Sequence, residues 1–162
     1  MKPWMHALLY QVTWFVTVLF GNTIAVIWGL LVLAPTLAWR QSKAGWVFIA
    51  MVTTMGYGAD LLLQAFGFIH FSQSTLMGPI WLLVLWISFA HLIWCFLYRI
   101  PMLWLRAIIG AVGGTLSYVA GAALGAAEPM TTSGIIAFVV WWSLAFPGFI
   151  ALRAQVAQRM GA

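Results

Sequence analysis

Acidic side chains are almost missing from this sequence: Asp60 and Glu128 are the only two. They fall in different segments, so no paired-carboxylate site for acid–base chemistry is expected. Cysteine is equally scarce. The lone Cys95 excludes an internal disulfide and any cysteine-based zinc site or CxxC redox pair. Lying in an apolar run, it reads as an inert buried thiol. Phosphate-binding loops are absent. Ser117, within Gly113-Gly114-Thr115-Leu116-Ser117-Tyr118, is no nucleophile elbow and has no evident base. The three histidines, at 6, 70 and 91, are expected on different sides or depths, so no metal site and no cofactor are expected.

Charged residues make up only 6% of the 162 residues, and hydrophobic ones 65%. With a mean hydropathy of +1.05, the class is a polytopic membrane protein, read as a single domain over residues 1–162. A net charge of +5 spread through such a chain forms no patch, which argues against nucleic acid as a partner. The N-terminus carries one lysine before an apolar run with no small-residue cleavage site, and reads as a retained first helix.

Residues 4 to 39 are apolar almost throughout, apart from Gly21-Asn22-Thr23. One helix of that length would reach roughly 54 Å, well beyond a hydrocarbon core of about 30 Å. Gly-Asn is a turn signal, so the run divides into a hairpin. The expected all-α bundle then has six transmembrane helices, near 4–20, 23–39, 46–66, 79–98, 104–127 and 133–152. Pro79 suits the first turn of the fourth, and Ser133 is placed to cap the sixth. Pro35 and Pro147 are expected to kink the second and sixth. In this arrangement one side receives Lys2, Arg40, Lys43, Arg99, Arg106, Arg153 and Arg159, while the other receives Glu128. The positive-inside rule then puts both termini in the cytoplasm. The tryptophans Trp4, Trp39, Trp46, Trp81, Trp104, Trp141 and Trp142 fall near span ends, where an interfacial belt would stand.

The fifth span carries a small residue every fourth position: Gly113, Ser117, Gly121 and Gly125, with Gly110, Gly114 and Ala122 in the next row. Such rows let helix backbones approach closely in lipid, so this span is expected to be the one the others pack against. Counted by helical rise, Asp60 lies roughly 9 Å inside the periplasmic end of its span, with Gln64 on its face. Ser88 and Tyr118 fall about 13 Å below the same surface, and these groups form one candidate polar layer. Gln11 and His91 lie about 10 Å from the opposite surface. Asp60 has two readings: a ligand, ion or proton site, or packing glue that accepts hydrogen bonds from Tyr118 and Gln64. His91 and Gln11 read as packing groups.

The order Gly56-Tyr57-Gly58-Ala59-Asp60, Gly67-Phe68-Ile69, Pro79-Ile80-Trp81-Leu82-Leu83 with Trp86 and Phe89-Ala90, and Gly110-Ala111-Val112-Gly113-Gly114 through Ser117-Tyr118, Gly121 and Leu124-Gly125-Ala126 resembles a family. It is similar to the small bacterial inner-membrane family known as domain of unknown function 2878, over nearly the whole chain. One departure is the end of the fourth span. The family pattern there is polar and histidine-bearing where this chain has Trp94-Cys95-Phe96, so His91 is not carried over as that residue. The resemblance implies no settled activity and a tie to enzymes that modify membrane fatty acids. The expected function is a non-enzymatic, lipid-associated accessory module of the inner membrane. Its partners would be membrane lipids, with a membrane-protein partner or a second copy of the chain also open. A small proton- or ion-coupled transporter using Asp60, and a structural subunit of a larger complex, remain the alternatives.

Overall fold

The computed structural model describes residues 2–74 and 78–161. Residues 75–77, in the connection expected over 67–78, lie outside the described residues. The described residues are helical throughout their ordered elements, with one isolated bridge between Phe71 and Ala127.

Helix α1 (Pro3–Trp28) is broken at Gly21, whose φ of 67° and ψ of −158° are non-helical. The chain reverses there. Trp28 Nε1–H donates to Thr13 Oγ1 at 3.0 Å, although fifteen residues along a straight helix would separate them by roughly 22 Å. Glycine suits this turn because its φ is positive, a conformation strained for residues with a Cβ, and a Cβ at position 21 would also lie 2.4 Å from the Gln73 amide. Gln73 in turn accepts from Asn22 N–H at 3.0 Å, and Asn22 Oδ1 accepts from Trp81 N–H at 3.0 Å. The reversal is thus tied to the loop before α4 (Ile80–Cys95).

Beyond α1 a π-helical turn, Gly29–Leu33, leads into α2 (Ala34–Arg40). Pro35 has no N–H to give the fourth carbonyl back, and the ladder shifts register, with Ala34 N–H reaching Gly29 O. Helix α3 (Lys43–Ala65) starts at Ser42, whose side chain accepts from Gly45 N–H. After α4 come α5 (Leu103–Ile109), a second π-helical turn at Gly110–Gly114, and α6 (Thr115–Ala123). Helix α7 (Thr132–Met160) is capped by Thr131, not Ser133, because Thr131 Oγ1 accepts from Gly134 N–H at 3.1 Å. It also runs past the expected end near 152 to Met160.

Four stretches are long and apolar enough to cross a membrane: Trp4–Trp39, Lys43–Ala65, Leu103–Ala123 and Thr132–Met160. Helix α4 is apolar but has only 16 residues. Large apolar side chains cover the outside, among them Leu31, Phe66, Leu103 and Leu144. Such a surface suits lipid and not water, so the protein is membrane-embedded.

The hub of the fold differs from the expected one. Leu103–Ala123, the glycine-striped stretch, is the least buried of the four. Helix α4 is central, with Trp81, Leu82, Val84, Trp86, Ser88, His91 and Ile93 all buried against α1, α3 and α7. Bulky side chains fill an interior better than a stripe of glycines, whose neighbours cover little area. The packing row is also the other one. A Cβ on Gly110 would lie 2.3 Å from Trp142 O, and one on Gly114 2.3 Å from the Trp142 ring. Gly113 and Gly125 have nothing within 4 Å, and Gly121 meets only Ala126 at 4.0 Å. The tryptophan belt divides likewise. Trp4, Trp39, Trp46 and Trp104 are exposed, whereas Trp81 and Trp142 are buried in the core.

Gly110→Ala should therefore lower the melting temperature in detergent, since overpacking against a backbone costs about 1–3 kcal/mol. Gly113→Ala should match or exceed wild type, because alanine gains roughly 1 kcal/mol over glycine within a helix. The opposite ranking would restore the Gly113 row as the packing face.

Candidate functional site

Gly56 and Asp60 stand one turn apart on α3, on the face turned toward α4. Gly56 leaves a slot, and the Trp86 indole fills it; a Cβ at position 56 would fall 2.2 Å from that ring. The indole is thereby aimed at Asp60, and Nε1–H donates to Asp60 Oδ2 at 2.7 Å. From α6, Tyr118 OH donates to the same oxygen at 2.6 Å. Asp60 is 0% exposed, and its Oδ1 is buried without a hydrogen-bond partner among the described residues. One carboxylate thus joins α3, α4 and α6.

The polar layer expected around Asp60 forms only in part. Tyr118 is in it. Gln64 is not: its Nε2–H donates to Ser74 Oγ at 3.1 Å and its Oε1 accepts from Phe71 N–H at 3.2 Å, which ties down the following loop. Ser88 Oγ is buried with no partner among the described residues. Trp86 is the missed member. An indole in an apolar run looks like lipid-facing bulk, and only Gly56 opposite it signals a donor directed inward.

Around this bond the aromatic rings condense. Trp86 stacks on Trp142 with centroids 5.5 Å apart and planes 2° from parallel. Tyr118 packs on Phe138 at 4.3 Å. A small chamber of about 40 Å³ sits among Tyr10, Phe71, Trp81, Trp86, Tyr118 and Trp142. It has room for a water-sized group. Beside it a groove of about 680 Å³ opens between α1 and the α5–α6 stretch. Chamber and groove share Tyr10, Phe89, Ser117 and Trp142. The groove's floor is Gly110, Gly113, Gly114 and Ala120, and its opposite wall is Gln11, Trp14 and Phe15. Ser117 turns its hydroxyl back onto Gly113 O and Gly114 O, both at 2.8 Å, so the floor stays apolar. Gln11 is an exposed wall of this groove.

His91 belongs to a separate cluster near the other end of α4. The expectation that the histidines lie at different depths is corrected here. His6 Nδ1 and His91 Nε2 are 3.0 Å apart, because the first limb of α1 packs along α4. Gln41 Nε2 contacts His91 Nδ1, and Cys95 Sγ lies 3.7 Å from that nitrogen. His70 is elsewhere, exposed and 3.9 Å from Glu128.

A family model described as "Protein of unknown function (DUF2878)" matches residues 3–148. No curated protein and no solved structure matches the chain.

The double acceptor role of Asp60 Oδ2 generates a graded expectation. Tyr118→Phe removes one donor to a buried group, which typically costs about 1–3 kcal/mol. Its melting temperature in detergent should fall clearly below that of Tyr10→Phe, a control on the chamber wall outside the Asp60 pair. Equal melting of the two variants would show that Asp60 does not need the Tyr118 hydroxyl.

Proposed function

The chain belongs to the DUF2878 family, and on that footing we propose that it is a non-enzymatic inner-membrane protein that holds the apolar chain of a membrane lipid. The groove between α1 and α5–α6 carries this reading. Its volume of about 680 Å³ lies within the range of small-molecule sites, and its walls are aromatic and aliphatic. The bare glycine floor leaves a track wide enough for an extended hydrocarbon. Where the groove meets the chamber, the Tyr10 side chain lines both and is set to receive the less apolar end of such a molecule. Holding one lipid chain apart from the bilayer is the act expected of an accessory protein that works beside fatty-acid-modifying enzymes. The transporter alternative needs Asp60 on a path, and Asp60 lines neither of these two cavities; its donors Trp86 and Tyr118 line the chamber alone.

The arrangement in the membrane is part of the proposal. The reversal at Gly21 divides Trp4–Trp39 into two limbs, and α4 lies alongside both. Counting α4 with the four long stretches yields six crossings. All seven lysines and arginines of the chain then fall on one side, in the N-terminal segment, at 40–43, at 99–106 and in the last turns of α7. Both termini face the cytoplasm in this arrangement.

Two measurements test these statements. Gly113→Leu fills the groove floor at a position with open space, so folding should persist while lipid adducts in native mass spectra of the detergent-purified protein drop severalfold. Undiminished adducts would remove the groove as the lipid site. For topology, Cys95→Ser supplies a cysteine-free chain, and single cysteines go to Ser42, Ser74, Thr131 and Gln158. An impermeant thiol reagent should label only positions 74 and 131 in spheroplasts. Labelling at 42 or 158 would overturn the orientation.

A further inference from the structure

The buried polar cluster at the far end of α4 has no part in the lipid groove. Its members are His6 from the start of α1, and His91 and Cys95 from α4. Residues 91 and 95 are one turn apart on a helix and so present their side chains on one face. His6 is brought to that face by the packing of α1 on α4. One ligand atom from each of the three lies within 4.8 Å of the others. We propose that His6, His91 and Cys95 bind a single zinc ion, with Gln41 as the outer partner that orients His91.

The donor set and its spacing carry the assignment. Two imidazoles and a thiolate suit zinc, which binds nitrogen at about 2.0–2.1 Å and sulfur at about 2.3 Å in tetrahedral geometry. Those lengths place two ligating nitrogens roughly 3.3 Å apart, and nitrogen and sulfur roughly 3.6 Å apart. Here His6 Nδ1 and His91 Nε2 are 3.0 Å apart, and His91 Nε2 and Cys95 Sγ are 3.9 Å apart. Both of these pairs lie within a few tenths of an ångström of the zinc spacings, and all three ligand atoms lie within 4.8 Å of one another. Three protein ligands leave the fourth position of a tetrahedral zinc to water or a small anion.

Gln41 fits this arrangement as the outer partner. A metal-bound histidine usually gives its other ring N–H to an oxygen, which fixes the ring. With Nε2 on the ion, that nitrogen is His91 Nδ1, and the Gln41 side-chain amide already lies against it. Gln41 Oε1 is buried with no hydrogen-bond partner among the described residues. Turning the amide over exchanges its nitrogen and oxygen at no cost in shape. Oε1 then accepts from His91 Nδ1–H, and the orphaned oxygen is satisfied.

The test uses the full chain in mild detergent with its affinity tag removed, and cobalt(II) as the spectroscopic stand-in for zinc. One equivalent of cobalt should bind per chain and produce a thiolate-to-cobalt charge-transfer band in the near ultraviolet, which zinc abolishes. Cys95→Ser should lose the band, and His6→Gln should weaken cobalt binding by tenfold or more. Melting curves recorded without metal check that both variants fold. Zinc should also raise the melting temperature of wild type, a readout that needs no variant. Absence of stoichiometric binding to wild type, a spectrum without the thiolate band, or unchanged binding in both variants would overturn the site. None of these outcomes depends on whether the groove holds lipid.

Discussion

A carboxylate with no access to water must be satisfied by its own protein, and much of this fold follows from how Asp60 is satisfied. Lipid offers no hydrogen bonds in exchange for those of water, so the donors have to come from neighbouring helices. Trp86 of α4 and Tyr118 of α6 both converge on Asp60 Oδ2. The indole can arrive only because Gly56 leaves its slot, and it remains in place because Trp142 of α7 stacks on its other face. Four helices are thus set relative to one another around one bonded group. Association that the hydrophobic effect cannot drive within a bilayer is here achieved by a directed polar contact and by close aromatic packing.

The position of α4 follows from the same constraint. With 16 residues it is the shortest of the apolar segments considered as crossings, yet more than half of its residues are buried, a larger share than in α3 or α7. Large apolar side chains at most positions let it fill the space between α1, α3 and α7. The glycine-rich stretch does the reverse. Its Gly110 and Gly114 meet α7, where Trp142 presses against them, while Gly113 and Ser117 of the other row line a groove. A π-helical turn spans those glycines, and the irregular ladder lets the two rows face different surroundings.

Residue pattern showed some of the site and hid the rest, for reasons that can be stated. Asp60 stood out because an acid amid apolar residues is conspicuous, and Tyr118 was within reach of its depth. Gln64 shared a face with Asp60 but is bonded to the loop that folds back over the end of α3. Counting rise along a helix measures depth and says nothing of such a loop. Trp86 and Trp142 were indistinguishable from lipid-facing tryptophans, because burial is a property of what stands opposite. His6 and His91 were separated by the same depth count, which ignores side-chain reach and the offset between neighbouring helices.

Composition and the placement of breaks determined by themselves that this is an all-helical, membrane-embedded chain, and residue order alone pointed to the family it belongs to. Those properties follow from sums and local rules: apolar length, the φ that glycine allows at position 21, the register that Pro35 disrupts. Which helix lies at the centre, which glycine row is covered, and which polar groups meet were decided only by the tertiary structure. Each of those depends on the azimuth of one helix against another. Azimuth is set by the joint packing of large side chains such as Trp86 and Trp142, and in a chain apolar on nearly every face no amphipathic stripe marks it beforehand.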